Sequence, residues 1–371
     1  MKPVLEVNHL SVSFDTPLGE LEAVRDVSWK LAPGEVLAVV GESGCGKTVM
    51  AQSIMKLLPS TAKYKAGRIL VEGEDLVPYP ERKMRRLRAN AFSMVFQDPM
   101  TSLNPTIPIG KQMVQAICRH RKISREEARE KAMELMRMVE IEEVEERFRL
   151  QPHFFSGGMR QRCVLAMALA SEPKVIFADE PTTSLDVTVQ AKILRLIRSL
   201  KERTGVSFVF ISHDLGVVAG VADRVAIMYA GKIVEIGTVQ EVFYDPRHPY
   251  TWGLLSALPA FADERNLLRS IPGAPPVMID LPPGDAFAQR NAYALAIDYE
   301  REPPMFRISE THSAATWLLD PRAPKIEAPA GLPGNAAAAP VPPLRDLPET
   351  AAPVRTPASI DAGPGLAGGE V

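Results

Sequence analysis

Cysteine is scarce in this chain of 371 residues: there are three, Cys45, Cys118 and Cys163, and no two share a C-x-x-C spacing. That scatter argues against a disulfide framework and points to a reducing compartment. Excess charge of either sign is also missing. Lys and Arg number 43 against 45 Asp and Glu, a formal net charge of −2. The balance argues against binding nucleic acid through overall charge, and no nucleic-acid partner is expected. Long apolar runs are absent too. Met1 to Leu10 holds no apolar signal core. The longest candidate span, Val206 to Ala230, is broken by His213, Asp214, Asp223 and Arg224. The expectation is a chain soluble by itself that meets a membrane only through a partner. Its length suits about two domains.

What is present is a phosphate-loop pattern, G-x-x-x-x-G-K-[ST], in Gly41-Glu42-Ser43-Gly44-Cys45-Gly46-Lys47-Thr48. An apolar run, Glu35 to Val40, leads into it and a helix-compatible segment, Thr48 to Leu58, leads out. A strand that ends in a glycine loop and opens a helix gathers backbone N–H groups in one concavity, where the helix N-terminus adds partial positive charge. Lys47 is then placed for the β- and γ-phosphates and the Thr48 hydroxyl for Mg²⁺.

Taken in order, Val4 to Phe14 and Leu21 to Leu31 read as strands, with Leu10, Val12 and Phe14 alternating against Ser11 and Ser13. Phe14 has two readings, stacking on an adenine ring or lying on the buried face of its strand. Arg68 to Val71 reads as a short strand. Glu81 to Asn90, with its basic run, reads as a solvated helix face. Ala91 to Phe96 is a strand with Gln97 at its exit, followed by a Pro-rich loop to Pro108. Gly110 to Arg149 turns helical, with Met133, Met136 and Val139 in one stripe, and looks like a helical insertion between strands. At Ser156-Gly157-Gly158 a helix begins with Ser156 as its N-cap. Its two glycines leave N–H groups bare, a second anion site apart from the first. Lys174 to Ala178 and Val206 to Ser212 have the continuous apolar character of buried parallel strands. The first leads into Asp179-Glu180-Pro181 and the Ser184-Leu185-Asp186 turn, the second into His213-Asp214. Arg224 to Tyr229 and Lys232 to Ile236 read as a closing hairpin. From about residue 246 to 320 the chain becomes a proline-punctuated, loop-rich module. Beyond it, 321–371 is mostly Pro, Ala and Gly and reads as a disordered tail.

Four polar signals stand at the exits of four predicted strands: the phosphate loop, Gln97, Asp179-Glu180 and His213. In an open parallel α/β sheet these exits share one edge, where ligands bind. Phosphoryl transfer needs charge neutralisation and an oriented water. Asp179 suits Mg²⁺ through its water shell and Glu180 suits a general base. The Gln97 amide oxygen suits the metal and the water. His213 suits the γ-phosphate or Glu180.

Together these residues resemble the ATP-binding cassette (ABC) ATPases over about residues 4–245. Gly41–Thr48 resembles the Walker A loop, Gln97 the Q-loop, Ser156–Gln161 the signature motif, Val175–Asp179 with Glu180 the Walker B motif, Ser184–Asp186 the D-loop, and His213 the switch histidine. The resemblance implies an α/β P-loop NTPase fold with an antiparallel β subdomain, a helical subdomain at about 98–165 within a nucleotide-binding domain of 1–245, and a small C-terminal module. It implies ATP and Mg²⁺ as ligands. It also implies two cassettes face to face, with Ser156 and Gly158 of one contacting the γ-phosphate held by the other's loop, and Gly157, Gln161 and Asp186 as further nucleotide-binding residues. Phe155 replaces the usual leucine and Met159 the usual glutamine.

Gln97–Pro105, Ser156–Arg162 and His248-Pro249-Tyr250-Thr251 with Leu254-Leu255 resemble the ATPase subunits of oligopeptide and dipeptide importers. That implies a second, non-identical ATPase, two membrane permease subunits that dock near Pro99–Pro108, an extracytoplasmic binding protein, and residence at the cytoplasmic face of a bacterial inner membrane. Nickel, opines or sugars are alternative cargoes in similar systems. A soluble, non-transport ABC ATPase of DNA repair or translation is the alternative class, against which the single cassette, the lack of a long heptad run and the C-terminal module argue. Many members of that branch carry a four-cysteine, iron–sulfur-like site. By position its thiols fall at Asp285, Asn291, Asp298 and Thr316 here, and no cluster is expected.

Overall fold

The computed structural model describes residues 2–258, 270–329 and 332, all within one compact unit. Most of the expected tail, residues 330–371 apart from Leu332, lies outside the described residues. Two sheets carry the architecture. The first is antiparallel with four strands in the order β2-β1-β4-β5, formed by β1 (Leu5–Thr16), β2 (Gly19–Leu31), β4 (Ala62–Val71) and β5 (Glu74–Asp75). The second has eight strands in the order β11-β12-β10-β9-β3-β8-β7-β6. Its parallel part is β3 (Val36–Val40), β6 (Phe92–Val95), β7 (Val175–Asp179), β8 (Ser207–Ser212) and β9 (Arg224–Tyr229), with β6 at the sheet's edge. Every residue of β3, β7 and β8 is buried, as continuous apolar runs require when helices or sheets cover both faces.

β9 turns back into β10 (Lys232–Thr238) as the expected hairpin, antiparallel from Lys232–Tyr229 to Thr238–Arg224. The short strands β11 (Phe306–Arg307) and β12 (Ser313–Ala314) then extend the same sheet through β12 on β10. The C-terminal module is therefore stitched to the cassette by main-chain pairing.

β4 is longer than the expected Arg68–Val71, because it reaches back to Ala62. Its first half alternates weakly, as Lys63-Tyr64-Lys65, and a register shift against β1 between Asn8 and Ser11 interrupts the period. The pairing is supplied by β1 across the sheet, which no local pattern reports.

The helices are α1 (Lys47–Ile54), α2 (Glu81–Asn90), α3 (Pro99–Ser102), α4 (Ile109–His120), α5 (Arg125–Met138), α6 (Val144–Arg147), α7 (Gly157–Leu169), α8 (Val187–Thr204), α9 (Leu215–Val218), α10 (Val239–Tyr244) and α11 (Pro249–Ser256). α3 to α7 all fall between β6 and β7, as the helical insertion expected there. α5 opens on a capping box, with the Ser124 hydroxyl accepting from Glu127 N–H and the Glu127 carboxylate accepting from Ser124 N–H. Its Met136 and the following Val139 are fully buried. In α2 only Met84 is buried, so its basic run is a solvated face. The stretch after Gln97 contains one helical turn, α3, capped by Asp98.

Candidate nucleotide site

Where β3 ends, the loop 41–46 turns into α1. Gly46 sits at φ 103°, and a Cβ there would lie 2.3 Å from the Ala23 carbonyl oxygen, so only glycine fits. Lys47 is 5% exposed, and its Nζ donates to the carbonyl oxygens of Gly41 at 2.7 Å and Glu42 at 2.9 Å. The Thr48 hydroxyl donates to Asp179 Oδ1 at 3.0 Å, which joins the start of α1 to the end of β7. Burial raises the Asp179 carboxyl above its ordinary value, with the Thr48 hydroxyl opposing.

Glu180, one residue on, has φ 46°. The left-handed region is costly for a non-glycine residue. Three side chains hold its carboxylate. Gln97 Nε2 donates to Oε2 at 3.2 Å, the Thr183 hydroxyl donates to the same oxygen at 3.0 Å, and His213 Nδ1 faces Oε1 at 3.1 Å. Strands β3, β8, β7 and β6 are successive neighbours. Their exits therefore carry the phosphate loop, His213, Asp179-Glu180 and Gln97 along one edge, as the sequence predicts.

Apart from Asp179, which is buried behind Thr48, these groups share a cavity of about 540 Å³. Its chemistry is graded. Ser43, Gly44, Gly46, Lys47 and Thr48 line a cationic, amide-rich part; Gln97, Glu180, Thr183 and His213 line a polar end; Phe14, Leu21, Ala23, Val49 and Met278 line an apolar part. Phe14 is half-buried and lines this cavity. Gly41, Glu42 and Cys45 belong to the loop but are not among the lining residues. Cys45 is buried, and burial pushes its thiol up. The Glu42 carboxylate turns away to pair with Arg290, through Nη1 at 2.6 Å and Nη2 at 2.9 Å.

Ser156 and Gly158 lie elsewhere, in a separate cavity of about 560 Å³ that Arg147, Arg162, Lys192 and Arg195 also line. The Ser156 hydroxyl caps α7 by accepting from Met159 N–H at 3.3 Å. Gly157 starts the same helix, and Asp186 caps α8 by accepting from Val189 N–H at 3.0 Å. Gln161 departs from expectation. It is 1% exposed, is not among the residues lining either cavity, and its buried Nε2 has no hydrogen-bond partner among the described residues. The helical period explains this, since Gln161 precedes buried Leu165 by four residues and buried Ala168 by seven, on the face of α7 turned to the core.

Other contacts escaped the sequence reading. Thr183 was within reach, three residues after Glu180 in a turn. Tyr250 and Arg290 were not. The Tyr250 hydroxyl accepts from the Glu42 N–H at 2.9 Å across 208 residues. Its ring packs on Tyr229 and Phe287 at centroid distances of 4.7 and 5.3 Å. His248 caps α11 by accepting from Tyr250 N–H at 3.0 Å, and burial lowers its pKa to about 3. The His248–Thr251 stretch thus sets a wedge behind the phosphate loop.

The family described as ABC transporter matches residues 24–183. The family described as the C-terminal region of oligopeptide/dipeptide transporters matches residues 234–297. The chain is 56% identical over 328 residues to the oligopeptide transport ATP-binding protein OppD of Bacillus subtilis, covering 88% of this chain and 92% of that one. The chain belongs to the ABC transporter ATPases. A second relative of this ATPase, the dipeptide transport ATP-binding protein DppD of Lactococcus lactis, is 52% identical, with 87% of this chain and 93% of that one covered. Among solved structures, a dimeric post-hydrolysis ATP-binding cassette bound to ADP and Pi superposes with TM-score 0.57 at 25% identity. That match covers 63% of this ATPase and 98% of the other chain. The structure of cbiO1 from Clostridium perfringens, part of the ABC transporter complex cbiONQ, superposes with TM-score 0.59 at 26% identity, covering 66% of this ATPase and 92% of that chain. Among the described residues of the ATPase no helix is long and apolar enough to cross a membrane.

Proposed function

We propose that this ATPase works as one of two facing cassettes and powers the uptake of oligopeptides or dipeptides. One observation carries the reading. The phosphate-loop cavity and the Ser156–Gly158 helix start lie in separate cavities of the same chain, so each offers half of a site that a second cassette completes. In this reading Ser156, Gly157, Gly158 and Asp186 of each cassette meet the nucleotide held by the other. Two permease subunits dock near Pro99–Pro108, where Met100 is 39% exposed and the nearby Phe96, before the loop, is 41% exposed. An extracytoplasmic binding protein supplies the cargo, and the ATPase sits at the cytoplasmic face of the membrane. In this reading the partner cassette is a non-identical homologue.

The residues present suit a hard cation. Thr48 Oγ1 and Asp179 Oδ1 lie 3.0 Å apart beside the loop, with Gln97 at the same cavity, an oxygen set that fits Mg²⁺. Bound there, Mg²⁺ would neutralise triphosphate charge. The protein supplies the rest. Loop amides and Lys47 hold the β- and γ-phosphates. Glu180 takes a proton from the attacking water, and Gln97, Thr183 and His213 hold its carboxylate at the reacting end.

Glu180→Gln tests the assignment. It should keep ATP binding, lower turnover by about 100-fold or more, and accumulate closed cassette dimers on size exclusion. Normal hydrolysis in that variant removes Glu180 from its role. For the cargo, mass spectrometry of the ligand carried by the cognate binding protein should find peptides, and a metal or sugar there overturns the peptide reading.

We also propose that the C-terminal module folds without an iron–sulfur cluster. Asp285, Asn291, Asp298 and Thr316 are each buried. Each accepts a nearby backbone N–H, from Phe287 at 3.0 Å, Tyr293 at 2.9 Å, Leu295 at 2.6 Å and Leu318 at 3.3 Å respectively. Stoichiometric iron and sulfide in the purified protein would refute this.

A further inference from the structure

The apolar part of the nucleotide cavity is not built by the cassette alone. Residues 277–280 of the C-terminal module lie against the start of β2. The Glu22 N–H donates to the Met278 carbonyl oxygen at 2.9 Å, and Leu21 pairs with Ile279 in an antiparallel bridge. Leu21 in turn pairs with Phe14 across β1 and β2. Phe14, Leu21 and Ile279 therefore stand side by side on three adjacent segments, and Met278 lines the cavity together with Phe14 and Leu21. Its neighbour Val277 is 71% exposed, whereas Met278 is half-buried. Of the strap, Met278 is the residue found among those lining the cavity.

We infer that Met278 is a base-contact residue, which together with Phe14 forms the apolar wall that receives the base of the nucleoside triphosphate. The inference rests on this cavity being the nucleotide pocket. A triphosphate laid along the loop amides and Lys47, with its γ end at Glu180, leaves its base for the other, apolar part of the cavity, because the polar end is already assigned to the reaction. A purine presents a polarisable π face. Phe14 offers a ring and Met278 an unbranched thioether that adapts to such a face. Neither side chain donates a strong hydrogen bond, so the pair adds affinity without reading the exocyclic groups that separate adenine from guanine. Main-chain bonds hold the strap, so changing the side chain at 278 leaves the strap in place.

The test compares wild type, Met278→Ala and Met278→Leu in the full chain, by equilibrium binding of Mg·ATP, Mg·GTP and inorganic tripolyphosphate. Tripolyphosphate carries the phosphates without a base. Met278→Ala should weaken ATP and GTP by the same factor, about 3- to 10-fold. It should leave tripolyphosphate affinity within error, and Met278→Leu should restore most of the loss. In turnover assays Met278→Ala should raise KM for ATP with kcat unchanged. Equal weakening of tripolyphosphate would make the strap a structural support only and overturn the inference, as would unchanged ATP affinity in Met278→Ala. A wild-type chain that binds tripolyphosphate but no ATP would overturn the base wall. One that binds neither would remove the pocket assignment on which the wall depends.

Discussion

Glu42 shows how little of a residue's role its motif states. In the loop it is a variable position, yet its N–H donates to the Tyr250 hydroxyl and its carboxylate receives both terminal nitrogens of Arg290. Arg290 is nearly enclosed, with 6% of its side chain exposed, while Glu42 keeps 26%. A forked, largely desolvated pair of this kind holds its partner's orientation, and removing one member strands the other. Arg290→Met should therefore lower stability by about 1–3 kcal/mol. Arg290→Lys should recover less than half of that, because an ammonium cannot make both bonds in plane. Thermal unfolding of the two variants checks it, and full recovery by lysine would reduce the contact to simple charge attraction.

At the scale of elements, the start of α7 joins two functions. The Ser156 cap leaves the first amides of the helix presented outward, and Gly158 brings α7 against α8. A Cβ on Gly158 would meet Val189 Cγ1 at 2.5 Å. Gly158→Ala forces α8 to shift, with an expected cost of about 1–3 kcal/mol. The phosphate loop is in a different cavity, so ATP binding by the single chain should survive. ATP-driven pairing of cassettes in a Glu180→Gln background should fall. Size exclusion with and without ATP measures this, and undiminished dimer would show that the helix start takes no part in pairing.

Across the whole molecule, the C-terminal module is wired into the cassette by buried polar groups. Glu235 of β10 is fully buried. It accepts from the N–H groups of Arg247 at 2.7 Å and His248 at 3.0 Å and faces His312 Nε2 at 2.7 Å. Glu302 pairs with both Arg25 and Lys232. Asp285 carries a cost in this arrangement. Burial, reinforced by Asp298 and Glu302, pushes its pKa up to about 6. A carboxyl raised on folding stabilises the folded state below its unfolded pKa and loses that contribution as pH rises through about 6. Asp285→Asn keeps the acceptor for Phe287 N–H and removes the titration. Relative to wild type it should gain about 1–3 kcal/mol above pH 7 and keep only a small fraction of that gain near pH 4. Thermal midpoints across pH 4–8 test this, and a constant offset would exclude Asp285 as the source.

Legibility followed the range of the interactions. Gly41–Thr48 is a local pattern, because a tight turn, a helix start and a lysine follow from eight consecutive residues. The order of Gln97, Glu180 and His213 at strand exits was also readable, since buried parallel strands announce themselves as apolar runs and their ends share an edge. The inward face of Gln161 and the first half of β4 were not read, because a helical period and a partner strand outweighed the local motif. Tyr250 and Arg290 reach the loop, and Met278 reaches β2 beside the cavity, across more than 200 residues, and nothing local in those stretches says what they will touch. The sequence by itself determined the chemistry of the phosphate site, because that chemistry depends on residue types at short spacing. Only the tertiary structure decided that the C-terminal module walls and braces that site, because this depends on which distant surfaces can be buried together.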